Sequence, residues 1–491
     1  MIFKSLKCNH RLILFLIIVF GLYLRLLYID APLVEFYKSI QPETASIARN
    51  FYLHNFNIFY PQLDWKGETP GHLRFPIYSF IIALLYLIFG IHEFIGRLVS
   101  IFFSLFTAYF IFKLTRKYFN ENAAILAVFF YLLCPISIYF GRYYMPESMM
   151  VCFSVAGIYY FSQWLDEDKL IFYWLAIGCC ALAILIKIPT LYIGFPLLYL
   201  AYNKYKFRLF QKPKLWLFTL LVLLPGIIWC YHIYQTGIKN ISTLYSLMQI
   251  GILSNFNIFH SDNFYGVMTA RFATIILTPI GLTLFVIGLF LRYQNKISYF
   301  LHYWILGIFI YIIIMTRGNL IHLYYQLPII PPASILIGSA LSSFLDRKMI
   351  NRLMLPVVLT LFTFFSLYYI LPYYKYIGWD FIRAGMVVDK ITPKDALITT
   401  DGPFAAALFY YANRKGFPMW SITPSPEDLE RCRQQGATYY ASVYMVNFKE
   451  KTVFGEYMLK NYTVVNATDR FIVFWLGKKK YIDRTDKKDY P

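Results

Sequence analysis

Charge is scarce in this chain. Only 15% of its 491 residues are Asp, Glu, Lys or Arg, while 59% are hydrophobic and 20% aromatic, and the mean hydropathy is +0.52. One soluble core cannot hold that much apolar surface. Acidic residues are the rarer sign, 26 against 46 Lys and Arg, for a net charge of +20. The basic residues are spread between hydrophobic runs and form no single patch, so membrane lipids and topology account for them and no nucleic-acid partner is expected. The seven cysteines show neither a disulfide framework nor metal-type spacing. Cys134, Cys152, Cys179, Cys180 and Cys230 lie in or beside apolar runs, where thiols serve as small packing residues; Cys8 is near the N-terminus and Cys432 stands alone. No Gly-x-Gly-x-x-Gly follows a predicted strand, which excludes a dinucleotide site, and no internal repeat is evident.

What the chain has in quantity is long apolar runs. Leu12–Tyr28, Phe94–Phe112, Ala123–Phe140, Leu215–Tyr231, Phe272–Leu291 and Leu353–Tyr369 approach or reach the roughly 20 residues needed to cross the hydrocarbon of a bilayer. The first run lacks a small-residue cleavage site and reads as a retained helix. The expected fold is an α-helical polytopic membrane protein, with about eleven transmembrane helices alternating sides and additional juxtamembrane helices. With Met1–Arg11 placed in the cytoplasm, the cytoplasmic loops collect clusters such as Lys113, Arg116 and Lys117, or Lys204, Lys206, Arg208, Lys212 and Lys214, and the opposite loops are sparser in cations. This orientation requires Pro76–Gly90 to be a helix lying in the outer interface, because as a span it inverts everything downstream. The outer loop 30–93 then carries Glu43, and Glu147 also falls outside.

Charged residues become frequent after Pro372. The expected organisation is therefore a membrane domain over 1–371 and a soluble extracytoplasmic α/β domain over 372–491. In the latter, Asp395–Gly402, "MWSI" and "ATYYASVY" read as strands, "FAAALFYYANRKG" as a helix closed by Gly416, and "SPEDLERCRQQG" as a helix capped by Ser425 and ended by Gly436. The end, Lys478–Lys488, reads as a solvated tail.

Several polar groups are expected on the outer side of the membrane, where they are costly: Glu43, Arg74, Arg142, Glu147, Lys187, Arg317 and His322, with Tyr324 and Tyr325 nearby. A carboxylate among cations at headgroup depth suits a lipid-linked anionic substrate, the phosphate held by Arg or Lys and the tail left in lipid. Each residue also has a plainer reading. Glu43 suits the first turn of a helix starting near Thr44, Arg142 and Glu147 suit an ion pair, Lys187 suits snorkelling, His322 suits a polar interface position, and the tyrosines suit the aromatic belt. Asp166-Glu167-Asp168 matches the Asp-x-Asp pattern of metal-dependent nucleotide-sugar transferases but falls in a cytoplasmic loop, where a solvated acidic turn is the simpler reading. The sequons at Asn240, Asn461 and Asn466 are frequent by chance.

Taken in order, "QPETASIARNFYLHNFNIFYPQLDW", "RFPIYSFIIALLYLIFGIHEFIGRLVSIFF", "YFGRYYMPES", "LIKIPTLYIGFPLLYL" and "HLYYQLPIIPP" resemble the bacterial membrane glycosyltransferases of the GT-C superfamily. Within it they are most similar to the protein mannosyltransferase-related group that includes the aminoarabinose lipid A transferases. The resemblance covers most of Met1 to about Pro372 and is strongest before Trp164. It implies a GT-C-type fold, a polyprenyl-phosphate sugar donor, a lipid, glycan or protein acceptor, hexosyl or pentosyl transfer at the outer face of a bacterial inner membrane, and catalytic roles for Glu43 as the first-loop acid and Glu147 as the acid after the third span. The first-loop acid is commonly aspartate in this group, and the position before "FP", often acidic, is Arg74 here. A cation in that place argues against a borrowed metal site, so no cofactor is required, and a divalent cation stays open without support from the sequence. A lipid-linked substrate transporter and a non-catalytic membrane scaffold are the competing readings.

Overall fold

A computed structural model describes residues 10–66, 74–236, 262–293, 295–347, 354–450 and 452–477. Cys8, the Asn240 sequon and the basic tail lie outside the described residues. The chain divides into two compact units, Met1–Ala31 with His72–Lys375, and Pro32–Gly71 with Tyr376–Pro491.

Among the described residues, the regular structure of the first unit is all helical. Its elements begin with α1 (His10–Leu26), α3 (Ile77–Phe89), α4 (Glu93–Tyr118), α5 (Glu121–Leu133), α6 (Pro135–Phe140), α7 (Glu147–Glu167), α8 (Leu170–Ile186), α9 (Gly194–Tyr205) and α10 (Pro213–Thr236); α2 (Ile40–Leu53) belongs to the second unit. Later helices include Thr278–Phe290, Phe300–Ile314, Ile330–Asp346 and Met354–Ile370. Among the described residues, five helical stretches are long and apolar enough to cross a membrane, and a bent pair makes a sixth if counted as one span. Ile77–Phe89, Glu121–Leu133 and Leu170–Ile186 are shorter apolar helices.

Sequence punctuation sets these boundaries. The Asn120 side chain accepts from the Ala123 amide to cap α5, Pro135 divides α5 from α6, and α4 ends with Arg116 and Lys117 in its last turn, where cations suit the helix dipole. Asp168, at φ 51°, turns α7 into α8, and the two pack as an antiparallel pair. All three acids of the Asp-Glu-Asp turn are matched by lysines: Lys117 lies 2.6 Å from Asp166, Lys169 2.7 Å from Glu167 and Lys214 3.4 Å from Asp168.

Two devices hold the bundle. Arg25 of α1 is fully buried, and its guanidinium donates to Ser104 Oγ (2.9 Å), to the carbonyls of Gly21 and Leu132 (2.9 Å each), and to the carbonyl (3.1 Å) and Oγ (2.9 Å) of Ser137, so a charge inside the bundle is dispersed over five acceptors. At Gly338 a Cβ atom would lie 2.5 Å from the Ala123 carbonyl oxygen and 2.6 Å from the Ala127 amide, a backbone approach between Ile330–Asp346 and α5 that only glycine permits.

In the second unit a five-stranded sheet has the order β2-β1-β3-β5-β4, from β1 (Ile398–Asp401), β2 (Gly416–Met419), β3 (Tyr439–Ser442), β4 (Thr463–Ala467) and β5 (Ile472–Trp475). β1 runs parallel to β2 and β3, and β5 runs antiparallel to β3 and β4. One face carries a core with Phe381, Ile382, Leu408 and Phe409, and the other a core with Leu429, Phe454 and Met458, which is the α/β sandwich expected. Ser425 and Asp428 form a reciprocal capping box on the helix Pro426–Gln434, and Gly436 follows it at φ 104°.

Two expectations for this region are corrected. The helix Ala405–Ala412 is closed by Asn413 in the left-handed conformation, and Gly416 instead opens β2, ahead of "MWSI". The glycine is needed for proximity, because a Cβ there would meet the Ile398 carbonyl oxygen at 2.0 Å. The boundary drawn at residue 372 also differs from the packing, which groups 32–71 with the C-terminal sheet. Val34 is completely buried in the Phe381–Phe409 core, the Gly378 amide donates to the Val34 carbonyl (2.7 Å), and α2 (Ile40–Leu53) packs on Ala405–Ala412. Burial of these apolar residues, which hydropathy leaves without a partner, decides the grouping.

Candidate functional site

In the first unit a carboxylate and two cations meet where helices end. Glu147 is the first residue of α7 and 1% exposed. A carboxylate suits that position, facing the unpaired amides of the first turn. Lys187 follows the last residue of α8, and because α7 and α8 are antiparallel neighbours, the start of one lies beside the end of the other. Lys187 Nζ is 3.3 Å from Glu147 Oε1. Arg74, just ahead of α3, brings a guanidinium nitrogen to 3.9 Å from the same oxygen. The second oxygen, Oε2, is buried and accepts no hydrogen bond among the described residues.

Aromatic rings floor the pair. Lys187 Nζ stands 3.8 Å from the Tyr325 ring centroid and 5.1 Å from that of Tyr324, both on the 3-10 turn Leu323–Ile329. The His322 ring stacks on Tyr325 at 5.6 Å. Burial holds the His322 imidazole down at about 4, with Lys187, Arg74 and Arg271 lowering it further and Glu147 opposing them. His322 is therefore neutral at physiological pH. Three cations and one carboxylate surround it, leaving an excess of positive charge for an anion.

The remaining candidates fall elsewhere. Arg142 is fully buried, its guanidinium 4.7 Å from the Tyr374 ring centroid and donating to the Tyr28 carbonyl at 3.3 Å. Arg317 is exposed on the short helix Thr316–Ile321. Glu43 lies in the first turn of α2 in the second unit, half-buried, with its amide donating to the Ser39 carbonyl at 2.9 Å. Lys187 is paired and only 10% exposed, so it does not snorkel to water as its plainer reading suggested. Arg271 was missed. It donates to the carbonyls of Asn319 (2.7 Å) and Leu320 (2.9 Å), pinning the turn that precedes His322. The signal was an arginine at the edge of an apolar run.

An apolar groove of about 350 Å³ opens in the same unit, lined by Ile184, Leu191, Leu197, Phe210, Trp216 and Val222. Two of these residues flank Lys187 closely in sequence, on α8 and on the 3-10 turn Ile188–Ile193.

Residues 70–232 match the family described as dolichyl-phosphate-mannose-protein mannosyltransferase, a stretch that includes Arg74, Arg142, Glu147 and Lys187. The chain is similar to the crystal structure of ArnT from Cupriavidus metallidurans bound to undecaprenyl phosphate, with a TM-score of 0.67, 13% identity, and coverage of 94% of this chain and 97% of that one. The chain shares the fold of that structure. That fold is also shared with the archaeal oligosaccharyltransferase AglB from Archaeoglobus fulgidus in complex with an inhibitory peptide and a dolichol-phosphate, at a TM-score of 0.57 and 13% identity, covering 95% of this chain and 74% of that one. Mycobacterial arabinofuranosyltransferase AftD matches at 0.54 and 11% identity, over 95% of this chain and 42% of its own. An uncharacterized protein of Aquifex aeolicus is 32% identical over 201 residues, which span 38% of this chain and 43% of the relative.

Proposed function

We propose that the protein is an inverting glycosyltransferase that moves a sugar from a polyprenyl-phosphate donor to a lipid, glycan or protein acceptor at the outer face of the membrane. The observation that carries this reading is the buried Glu147 carboxylate clamped by Lys187 and Arg74 in a GT-C bundle. The ArnT and AglB structures contain undecaprenyl phosphate and dolichol-phosphate, the donor carrier class invoked here.

In this reading Lys187 and Arg74 grip the donor phosphate, and the apolar groove takes isoprene units of its tail. Glu147 holds the two cations in register, since a fixed array of charges stabilises a developing anion without reorganising at the moment of reaction. The acceptor oxygen attacks the anomeric carbon, the bond from that carbon to the phosphate oxygen breaks, and the electron pair leaves on the phosphate. Phosphate needs no protonation to depart, so catalytic help goes to the acceptor. The acceptor proton goes to a carboxylate, the role that the resemblance implies for Glu43. One displacement inverts the anomeric centre. No metal is required, because the lysine and arginine supply the positive charge.

The test is transfer of radiolabelled sugar from defined polyprenyl-phosphate donors to a membrane extract, by purified protein and its Glu147→Gln and Glu43→Gln variants. Both variants are expected to lose at least about 100-fold in turnover while donor binding survives in Glu43→Gln. Full turnover by Glu43→Gln removes that residue from the mechanism. Donor passage across vesicles with no sugar transfer, by a folded wild-type protein, replaces the enzyme with a carrier.

A further inference from the structure

The second unit holds a cleft of about 370 Å³ that the transferase chemistry does not use. One wall is the end of α2 and the segment after it; the other is formed by the chain leading into β1 and β2. Backbone bonds fix the walls to each other. The Lys66 amide donates to the Gly416 carbonyl at 2.6 Å and the Gly416 amide to the Asp64 carbonyl at 2.9 Å, so Asp64–Lys66 lies along the edge of the sheet beside β2.

Most of the charge in the cleft is already matched. Arg49 lies 2.5 Å from Asp64 Oδ2, while Asn50 donates to Asp64 Oδ1 at 3.0 Å. Arg414 is buried on Asp389 at 2.7 Å, and Lys394 reaches the same carboxylate at 2.8 Å. Lys66 and Lys415 differ. Neither has a carboxylate partner among the described residues, and the contact of Lys415 Nζ is the neutral Gln62 Oε1 at 3.1 Å. The backbone bonds at Gly416 hold the segments carrying these two lysines next to each other, and both line the cleft with exposed Asn413 and Asp395. Two ammonium groups lining one cleft, neither neutralised by a carboxylate among the described residues, favour a divalent anion there.

We propose that this cleft binds a phosphomonoester, its phosphate between Lys66 and Lys415 and its neighbouring hydroxyls on Asn413 and Asp395. The phosphate belongs to a soluble phosphorylated sugar or to a lipid headgroup, and the two sources share the same contacts.

The full chain in phosphatidylcholine nanodiscs is titrated calorimetrically with glucose 6-phosphate, and with glucose as the uncharged control. Saturable binding of the phosphate ester alone is expected. Lys66→Gln/Lys415→Gln should weaken it by about tenfold or more, the loss shrinking at high salt, while Lys66→Arg/Lys415→Arg retains it. A second set of nanodiscs carries phosphatidic acid. If the headgroup is the natural occupant, glucose 6-phosphate binding weakens there for the wild type, and if a soluble ester is, it does not change. Both side chains lie at the cleft surface, and an unaltered melting temperature of the Gln pair separates lost binding from lost folding. Absence of saturable binding to the wild type in plain nanodiscs together with no effect of phosphatidic acid, or equal affinity in the Gln pair, overturns the proposal. Sugar transfer is not read in this experiment, so its outcome is independent of the transferase assay.

Discussion

Lys187 Nζ lies 3.3 Å from Glu147 Oε1, although the residues are 40 positions apart and each stands at the end of a different helix. An ion pair this shielded is costly to assemble and costlier to break, since removing one partner strands the other charge without water.

Glu147→Gln and Lys187→Met should therefore each destabilise the protein by about 3–5 kcal/mol, with the double variant losing much less than the sum. Unfolding in detergent, read as a double-mutant cycle, measures the coupling. Additive losses would show that the pair contributes nothing as a pair.

The imidazole of His322 gives stability a defined acid limit. Its folded value of about 4 lies below the ordinary 6.5, because burial and three nearby cations disfavour the charged ring. As pH falls from 6.5 towards 4 the unfolded chain takes up a proton that the folded chain refuses, so stability falls through that window and is flat above it. In His322→Gln the melting temperature should decline less steeply over the same window. The pH dependence of sugar transfer between 6 and 8 should carry no step from this residue.

Asp401 behaves in the opposite sense. It is fully buried at the end of β1, Asn447 donates to its Oδ2 at 3.2 Å, and burial pushes its carboxyl up from 3.8 to about 7. The folded state keeps a proton that the unfolded state has released, so stability falls as pH rises from about 4 to 7. Asp401→Asn removes the titration, and its melting temperature should gain on the wild type as pH rises from 5 to 8. A constant difference across that range would contradict a buried, protonated carboxyl.

Gly338→Ala tests helix contact. The added methyl meets backbone atoms of α5 at 2.5 and 2.6 Å, which cannot rotate away as a side chain can. A loss of about 1–3 kcal/mol, the usual cost of overpacking, is expected in thermal or denaturant unfolding. By contrast, Gly178→Ala, where a Cβ meets nothing within 4 Å, should be neutral or slightly stabilising.

The membrane helices and the charge-rich α/β region were legible in the sequence because hydropathy and capping are local. A run of apolar residues must leave water whatever surrounds it, and Ser425 followed by Asp428 caps a helix from within four residues. Glu147, Lys187 and Arg74 could also be picked out singly, as charges too costly to sit beside lipid without a purpose. Arg271 was passed over because an arginine beside an apolar run reads equally well as an anchor, until its bonds to Asn319 and Leu320 are seen.

Where the long apolar runs lie, which segments form helices and which polar residues call for an account can all be read along the chain. Only the tertiary structure decided that Lys187 pairs with Glu147, that Gly416 opens a strand instead of closing a helix, and that residues 32–71 pack with the C-terminal sheet. The physical reason is that partition into lipid depends on a residue and its near neighbours, whereas a salt bridge, a close backbone approach or a shared core depends on which distant surfaces pack together.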